Sequence, residues 1–289
     1  MMVTARRAPA FALLMGLFFW QGAASAQPIS PVPPELRGAW FAGSCTAPDA
    51  MLHLTARSAA RLPARGPSRL LRFNESREQD GWLIGTGRGA EAPRIMLRPG
   101  GTEGLVSAEP GPKLRDDRLP GDTPVQAWHR CPAPPLAMSA LHGEGLAMLG
   151  ALEQLEAACG TPAGQGSGCI ATVIAIGDVS GDRLLSVAEI GRLIRGMTWV
   201  LAAADGASAD ALAFAGAGGA LAGVAGARLV MESLDYDGDG RISAAELGQD
   251  RVALAPSAGD AAGQPLRLEG VQDGIALLRG LMEGLLPGR

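Results

Sequence analysis

Oxygen-bearing side chains recur at alternate positions between residues 235 and 246, and this spacing suits the binding of a hard cation. Such a cation prefers six to eight oxygen ligands at about 2.3–2.6 Å, and a short turn can direct alternate side chains toward one centre. The side chains that would supply the oxygens are Asp235, Asp237, Asp239, Ser243 and Glu246. The segment therefore predicts a Ca²⁺ site.

The same segment matches the calcium-binding loop of EF-hand proteins at every specified position, so the chain resembles that family. The resemblance implies that Arg241 contributes its backbone carbonyl, that Ser243 binds directly or through a water, and that Glu246 contributes both carboxylate oxygens. Gly240 occupies the position where the loop bends sharply, because a residue without Cβ adopts a positive φ at little cost. An Asp/Gly-rich surface turn is the alternative interpretation.

A less complete copy of the pattern, the first loop, lies at residues 178–189, ahead of the second loop at 235–246. Arg183 stands where the family has glycine, and a positive φ costs a non-glycine residue on the order of 1 kcal/mol. Ser180 also replaces a carboxylate or amide, so we expect the first loop to bind weakly or to act as a structural partner of the second. Its implied ligands are Asp178, Ser180, Asp182, Leu184 through its carbonyl, Ser186 and Glu189.

Apolar residues flank both loops at the spacing of amphipathic helices, as an EF-hand pair requires. Leu185 and Ile242 occupy the apolar loop position that in this family joins two loops through a short β-bridge. The helical positions before the second loop are Ala227, Val230, Met231 and Leu234. Those around the first loop are Ile170, Val173, Ile174, Ile190, Leu193, Ile194 and Met197.

The N-terminus has the pattern of a secretory signal peptide at residues 1–26. Arg6 and Arg7 precede an apolar run, and Ala24-Ser25-Ala26 provides a cleavage signal. An uncleaved anchor is the alternative, but the run is shorter than the roughly 20 residues that span a bilayer. The expected location is therefore the periplasm or the extracellular medium.

Four cysteines follow this segment, and an even number in an exported chain predicts disulfides. Three pairings are open to four cysteines. The order along the chain favours Cys45–Cys131 and Cys159–Cys169, because each pair then brackets one recognisable segment.

Residues 28–131 have the spacing of short strands and predict a small β domain. Gly38-x-Trp40 resembles the G-x-W of lipocalin-like barrels, and a disulfide-closed barrel of the kind found in periplasmic inhibitors fits as well. A Cys45–Cys131 bond would tie the first strand to the last. The candidate strands are 38–41, 51–54, 70–73, 82–85, 94–97 and 125–128.

The Pro-rich segment 132–135 predicts a linker to an α-helical EF-hand domain at 136–289. The predicted fold class is therefore α+β, with a small disulfide-tied antiparallel β-barrel or sandwich followed by an all-α EF-hand domain. A first amphipathic helix, which would end near Gly160, is indicated by Leu141, Met148, Leu152 and Leu155. A last one is indicated by Val271, Ile275, Leu278, Met282 and Leu285.

An uncharged Gly/Ala-rich stretch at 211–227 separates the two loops. A membrane span was considered, because Gly219-x-x-x-Gly223 permits close helix packing. The stretch is short and only mildly apolar, and a span would place the two loops on opposite sides of the membrane. We therefore expect a small-residue helix that packs tightly in the core of the protein.

Composition and motifs argue against an enzyme or a nucleic-acid-binding protein. The formal net charge is −4, and loss of Arg6 and Arg7 would lower it to −6. His53, His129 and His142 have no catalytic or metal-ligand spacing, and no hydrolase or nucleotide-binding motif is present.

The sequence therefore predicts an exported calcium-binding protein in which an EF-hand pair serves structure or partner recognition. An unidentified envelope protein is the candidate partner beside calcium itself. The alternative is a β-barrel ligand-binding or inhibitor protein in which the EF-hands act as a structural clip.

Overall fold

The computed structural model describes residues 31–88, 91–101, 104–114, 118–160 and 167–249. The predicted signal peptide and the predicted helix at 271–285 lie outside these residues. The strands are β1 Gly38–Gly43, β2 Pro48–Leu54, β3 Ser58–Pro63, β4 Arg69–Arg72, β5 Glu75–Gln79, β6 Trp82–Thr86, β7 Arg94–Pro99, β8 Gly104–Ala108 and β9 Val125–His129. The helices are α1 Leu136–Cys159, α2 Ser167–Gly177, α3 Val187–Ala204, α4 Ala209–Leu234 and α5 Ala244–Gln249.

The nine strands form one antiparallel sheet in the order β4-β3-β2-β1-β9-β8-β7-β6-β5. The two edge strands, β4 and β5, follow each other directly in the sequence, and the chain passes between them through Phe73 and Asn74. The sheet therefore curls into a half-barrel. The predicted antiparallel β structure is confirmed at this level, as one curled sheet rather than a closed barrel or a two-sheet sandwich.

Apolar side chains fill the inner face of the curled sheet. Trp40 points inward and its neighbour Phe41 outward, as alternation along a strand requires. Phe73 is buried against Gly85, where an added Cβ would lie 2.5 Å from its ring. The inner cluster consists of Val32, Leu36, Trp40, Ala42, Ala50, Leu52, Leu54, Ala59, Phe73, Leu83, Ile95, Leu97, Leu105 and Trp128.

Helices α1 and α3 cover the outer face of β1, β2 and β3. Phe41, Met51 and Leu62 from the strands are buried with Leu149 of α1 and Trp199 of α3 in one hydrophobic cluster. Burial of a side chain of this size stabilises a fold by about 1.5–3 kcal/mol relative to its exposure to water. The sheet and the helices thus share a core.

Polar contacts reinforce the same interface. Glu153 of α1 accepts hydrogen bonds from the Thr55 hydroxyl, the Arg57 amide (3.0 Å) and the Ser58 hydroxyl (2.9 Å). Arg72 of β4 donates two bonds, of 2.6 and 2.7 Å, to the buried Glu156 carboxylate. The division into separate domains at residues 28–131 and 136–289 stays a prediction. In the folded protein, α1 and α3 cover apolar surface of the sheet, and the sheet covers theirs.

Both predicted disulfides are present. Cys45 is bonded to Cys131 across 86 residues of sequence, and Cys159 to Cys169 across 10. The first joins the ends of β1 and β9, and the second joins α1 to α2. Disulfides are typical of an oxidising, non-cytoplasmic compartment.

The Gly/Ala-rich stretch is helical and forms most of α4. Gly219, Gly223 and Gly226 pack on α3, whereas 25% of the most apolar window of α4 is buried among the described residues. Within the described part of the chain, the expected tight packing is therefore present on the side of α4 that faces α3. By length and composition alone, α4 is the one helix among the described residues that could span a membrane, which is weak support for a span.

Candidate cation-binding loops

Each predicted loop lies between two helices, and a β-bridge joins the two loops. The first loop connects α2 to α3, and the second connects α4 to α5. Leu185 and Ile242 exchange backbone hydrogen bonds of 2.8 and 2.9 Å. The two bridge residues belong to a hydrophobic cluster with Ile174, Ile190, Ala227 and Met231, and Val173, Ile194, Val230 and Leu234 pack around it.

Three carboxylates of the second loop converge on one point. Asp235, Asp237 and Asp239 each offer an oxygen within 4.8 Å of the others. Backbone amides hold the side chains in place: Asp235 accepts from Gly238 (2.8 Å) and Gly240 (3.0 Å), and Asp239 accepts from Arg241 (2.7 Å). Glycine adopts this turn at little cost at two of these positions, since Gly238 has φ 75° and Gly240 has φ 80°.

Glu246 ties the two ends of the second loop together. One carboxylate oxygen accepts from the Tyr236 amide (2.9 Å), and the other accepts from the Ser243 amide and hydroxyl (both 2.8 Å). The Ser243 bonds, followed by those from the Tyr236 and Asp237 amides, lower the pKa of Glu246 against the opposing effect of burial. The side chain is therefore an oriented anion at the start of α5.

The first loop repeats this backbone with different residues. Gly181 has φ 81° and Arg183 has φ 64°, at the positions that Gly238 and Gly240 occupy in the second loop. The expected positive φ at Arg183 is therefore present. Asp178 accepts from the Gly181 amide at 2.6 Å and from the Arg183 amide at 2.8 Å, so the two loops have the same internal hydrogen-bond scheme.

Glu189 reproduces the role of Glu246 in the first loop. It accepts from the Val179 and Ser180 amides (2.8 and 3.0 Å), and its bonds with Ser186 form a capping box at the start of α3. Burial raises the pKa of Glu189, but the hydrogen bonds from Ser186, Ser180 and Val179 outweigh burial and lower the pKa to about 2.

The first loop has fewer carboxylates at the corresponding positions. Asp178 and Asp182 stand where the second loop has Asp235 and Asp239, but Ser180 replaces the carboxylate of Asp237. One Asp182 oxygen accepts from the Leu184 amide at 2.9 Å, and the other forms an ion pair with Arg241 of the second loop. Sequence reasoning missed this ion pair, because no local pattern relates residues on different loops.

The three histidines lie on elements outside the loops, His53 on β2, His129 on β9 and His142 on α1. His129 Nε2 lies 3.5 Å from the Cys45 sulfur, and both neighbouring sulfurs belong to the Cys45–Cys131 disulfide. His142 is buried edge-on against Trp199, with ring centroids 5.7 Å apart, and burial lowers its pKa to about 4. Burial also lowers the pKa of His53.

Comparisons with protein families, with curated proteins and with solved structures find no match for this chain. The function is therefore inferred from the residues and their geometry.

Proposed function

We propose that this chain is a periplasmic or secreted calcium-binding protein in which the second loop is an EF-hand site and the first loop is its structural partner. The observation that carries the proposal is the convergence of Asp235, Asp237 and Asp239 within 4.8 Å. Ca²⁺ held there would also bind the Arg241 carbonyl, Ser243 and Glu246.

The chemistry of the donor set favours Ca²⁺ over other metal ions. All the donors are oxygens, with no histidine or cysteine among them, which disfavours zinc and copper. Flexible side chains in an irregular loop suit the variable coordination of Ca²⁺ better than the strict octahedron of Mg²⁺. Glu246 does not belong to the converging group, and its oxygens accept bonds from Ser243 and Tyr236, so this side chain would have to turn toward the aspartates on binding.

A bound cation in the second loop would stabilise the helical part of the protein. The loop joins α4 to α5, and through the Leu185–Ile242 bridge it also positions the first loop between α2 and α3. Binding to the folded chain alone raises the free energy of unfolding by about 2.7 kcal/mol when Ca²⁺ is at 100 times its dissociation constant.

Calorimetric titration of the chain from Gln27 to Arg289 with Ca²⁺ tests the proposal. We expect the tighter site, in the second loop, to have a dissociation constant of roughly 10⁻⁵ to 10⁻³ M, and we expect EDTA to lower the thermal transition. Asp237→Asn provides the matched variant, because it removes one charge and leaves the backbone turn intact. An absence of binding at millimolar Ca²⁺, in a chain that circular dichroism shows to be folded, would reject the proposal.

The alternative function, a ligand-binding or inhibitor role for the β part, has less support. Large side chains such as Trp40, Phe73 and Trp128 fill the inner face of the half-barrel, where a ligand would bind. Removal of residues 136–289 is not a clean test, because it uncovers the outer face of the sheet. A cleaner test compares the capture of a partner protein by the parent chain and by Glu246→Gln, each with and without Ca²⁺. Capture that is the same in all cases would favour the alternative.

A further inference from the structure

The two faces of helix α4 differ, and one of them packs against α3. An added Cβ at Gly223 would lie 2.9 Å from the Gly191 carbonyl oxygen, so the two helices approach this closely because Gly223 has no side chain. The residues of α4 that are buried on this side are Leu212, Ala227 and Met231.

The opposite face of α4 is apolar and exposed to solvent. The exposed fractions are 77% for Phe214, 81% for Leu221, 50% for Val224 and 65% for Leu229. These four residues lie within an arc of about 140° and extend about 22 Å along the helix. Residues 211–227 contain no charged or hydrogen-bonding side chain, and the charges of Arg228 and Glu232 lie at the C-terminal end of the same arc. An apolar stripe of this kind marks an interaction surface. We call it the α4 outer face.

The same chain contains a segment with a matching pattern. Residues 250–289 follow α5, and they include apolar positions at steps of four, three, four and three residues: Val271, Ile275, Leu278, Met282 and Leu285. As a helix, this segment would present a stripe about 21 Å long, the same length as the α4 outer face. Asp273, Arg279 and Glu283 would lie on its polar side.

We propose that the predicted helix at 271–285 packs on the α4 outer face of the same molecule. The 21 residues from 250 to 270 can extend about 70 Å, whereas α4 is about 39 Å long, so the segment can reach all of it. A tethered segment also has an effective concentration in the millimolar range, which favours it over partners present at lower concentration. The inference does not depend on the proposed calcium site.

The packing of α4 argues against a lipid bilayer around this helix. Gly219 lies against Arg195 of α3, and the Arg195 guanidinium donates to Glu144 of α1 at 2.8 and 3.0 Å. Insertion of α4 into a membrane would have to break its contacts with α3 or bring this ion pair to the lipid. Packing of another segment on the outer face leaves both intact.

Hydrogen exchange in the full chain tests the proposal from both sides of the contact. Leu278→Asp places a charge in the proposed interface, and we expect the amides of residues 211–229 to exchange at least tenfold faster than in the parent. Leu221→Asp changes the α4 side, and we expect trypsin to cleave after Arg279 at least tenfold faster. Val125→Asp is the control, because Val125 is a 58% exposed residue on β9, and it should change neither rate.

The other occupants of the face give distinct results. Unchanged exchange in Leu278→Asp, with the parent monomeric by light scattering, would overturn the proposal. If the α4 amides exchanged more slowly at higher protein concentration, and the parent were a dimer, the α4 outer face would be assigned to a second copy of the chain. Flotation of the parent with phosphatidylglycerol vesicles, abolished by Leu221→Asp and not by Leu278→Asp, would assign it to lipid. Either assignment would replace the one proposed here.

Discussion

The guanidinium of Arg241, in the second loop, pairs with the Asp182 carboxylate of the first loop. Both side chains are partly exposed, at 42% and 35%, so the pair itself contributes at most about 1 kcal/mol to stability. Its importance lies in what it does to the first loop. Asp182 would be one of only three carboxylate ligands there, and a positive charge from the same protein already neutralises it.

Replacement of Arg241 is expected to improve cation binding in the first loop. Arg241→Gln removes the positive charge from Asp182 and keeps the backbone carbonyl that the second loop would use. We expect the affinity of the first loop for Ca²⁺ to rise about fivefold, which corresponds to the ~1 kcal/mol upper value for an exposed ion pair. Calorimetry measures the change, and Arg228→Gln on the exposed side of α4 is the control for net charge. Equal titration curves for the parent and Arg241→Gln would contradict the prediction.

The glutamates at the ends of the two loops should differ in importance for Ca²⁺ binding. Glu246→Gln replaces a bidentate anion by an amide whose nitrogen cannot bind a cation, so the tighter site should disappear. Glu189→Gln should have a smaller effect, because Arg183, Ser180 and the Asp182 ion pair already weaken the first loop. A titration in which Glu189→Gln alone removed the tighter site would reverse our ranking of the loops.

Substitutions at the sharp bend of each loop should have opposite effects on the stability of the protein. Arg183 has φ 64° and Gly240 has φ 80°. Arg183→Gly should relieve strain, raise the stability of the metal-free chain by up to about 1 kcal/mol and tighten the first loop. Gly240→Ala should lower stability by a similar amount. Urea unfolding in EDTA checks both changes, and a loss of stability in Arg183→Gly would show that strain at this position is negligible.

The buried histidines should make the protein less stable in mild acid. His142 has a pKa of about 4 in the folded chain against 6.5 as its ordinary value, because burial disfavours the cation. Between these values the unfolded chain binds the proton and the folded chain does not, so stability falls as the pH decreases from 6.5 to 4.

We expect His142 to account for a loss on the order of 2–3 kcal/mol over that range. His53 acts in the same direction. Urea unfolding at pH 4, 5, 6 and 7 measures the slope. In His142→Leu the slope should be shallower, and an unchanged slope would assign the acid sensitivity elsewhere.

Two glycines of α1 provide a matched test of the packing between α1 and α3. A Cβ at Gly145 would overlap the Trp199 indole, whereas a Cβ at Gly143 would meet nothing within 4 Å. Gly145→Ala should therefore destabilise the protein by about 1–3 kcal/mol. Gly143→Ala should stabilise it by up to about 1 kcal/mol, because alanine favours the helix. Similar melting temperatures for the two variants would show that α1 can shift to accommodate the extra methyl group.

The sequence predicted those parts of the fold that depend on local patterns. Six of the nine strands coincide with apolar runs. The strands that were missed are β3, which is alanine-rich, β5, which is polar, and β8, Gly104–Ala108. The disulfide pairs followed from order along the chain. The side of the sheet that the helices cover could not be predicted, because contacts such as Glu153 with Ser58 join residues far apart in the sequence.

The candidate site likewise has features that the sequence predicted and one that it did not. Ligand spacing and the positive φ at Arg183 follow from a loop pattern that is local in sequence, whereas the Leu185–Ile242 bridge was expected from the resemblance to paired EF-hand loops. The Arg241–Asp182 pair joins two loops through space. A positive side chain beside an acidic ligand carries no periodic signal, so only the three-dimensional arrangement reveals it.

The contact between β1 and β9 divides the sheet into two meanders, β1 to β4 and β5 to β9, each of which pairs neighbouring strands only. A nascent chain can therefore form each meander as it emerges, but the seam between them has to wait for the last strand. Until then, β1 has an open edge with unpaired backbone groups, the kind of edge that pairs with other chains. The Cys45–Cys131 bond lies at this seam, so once formed it keeps the two meanders from separating.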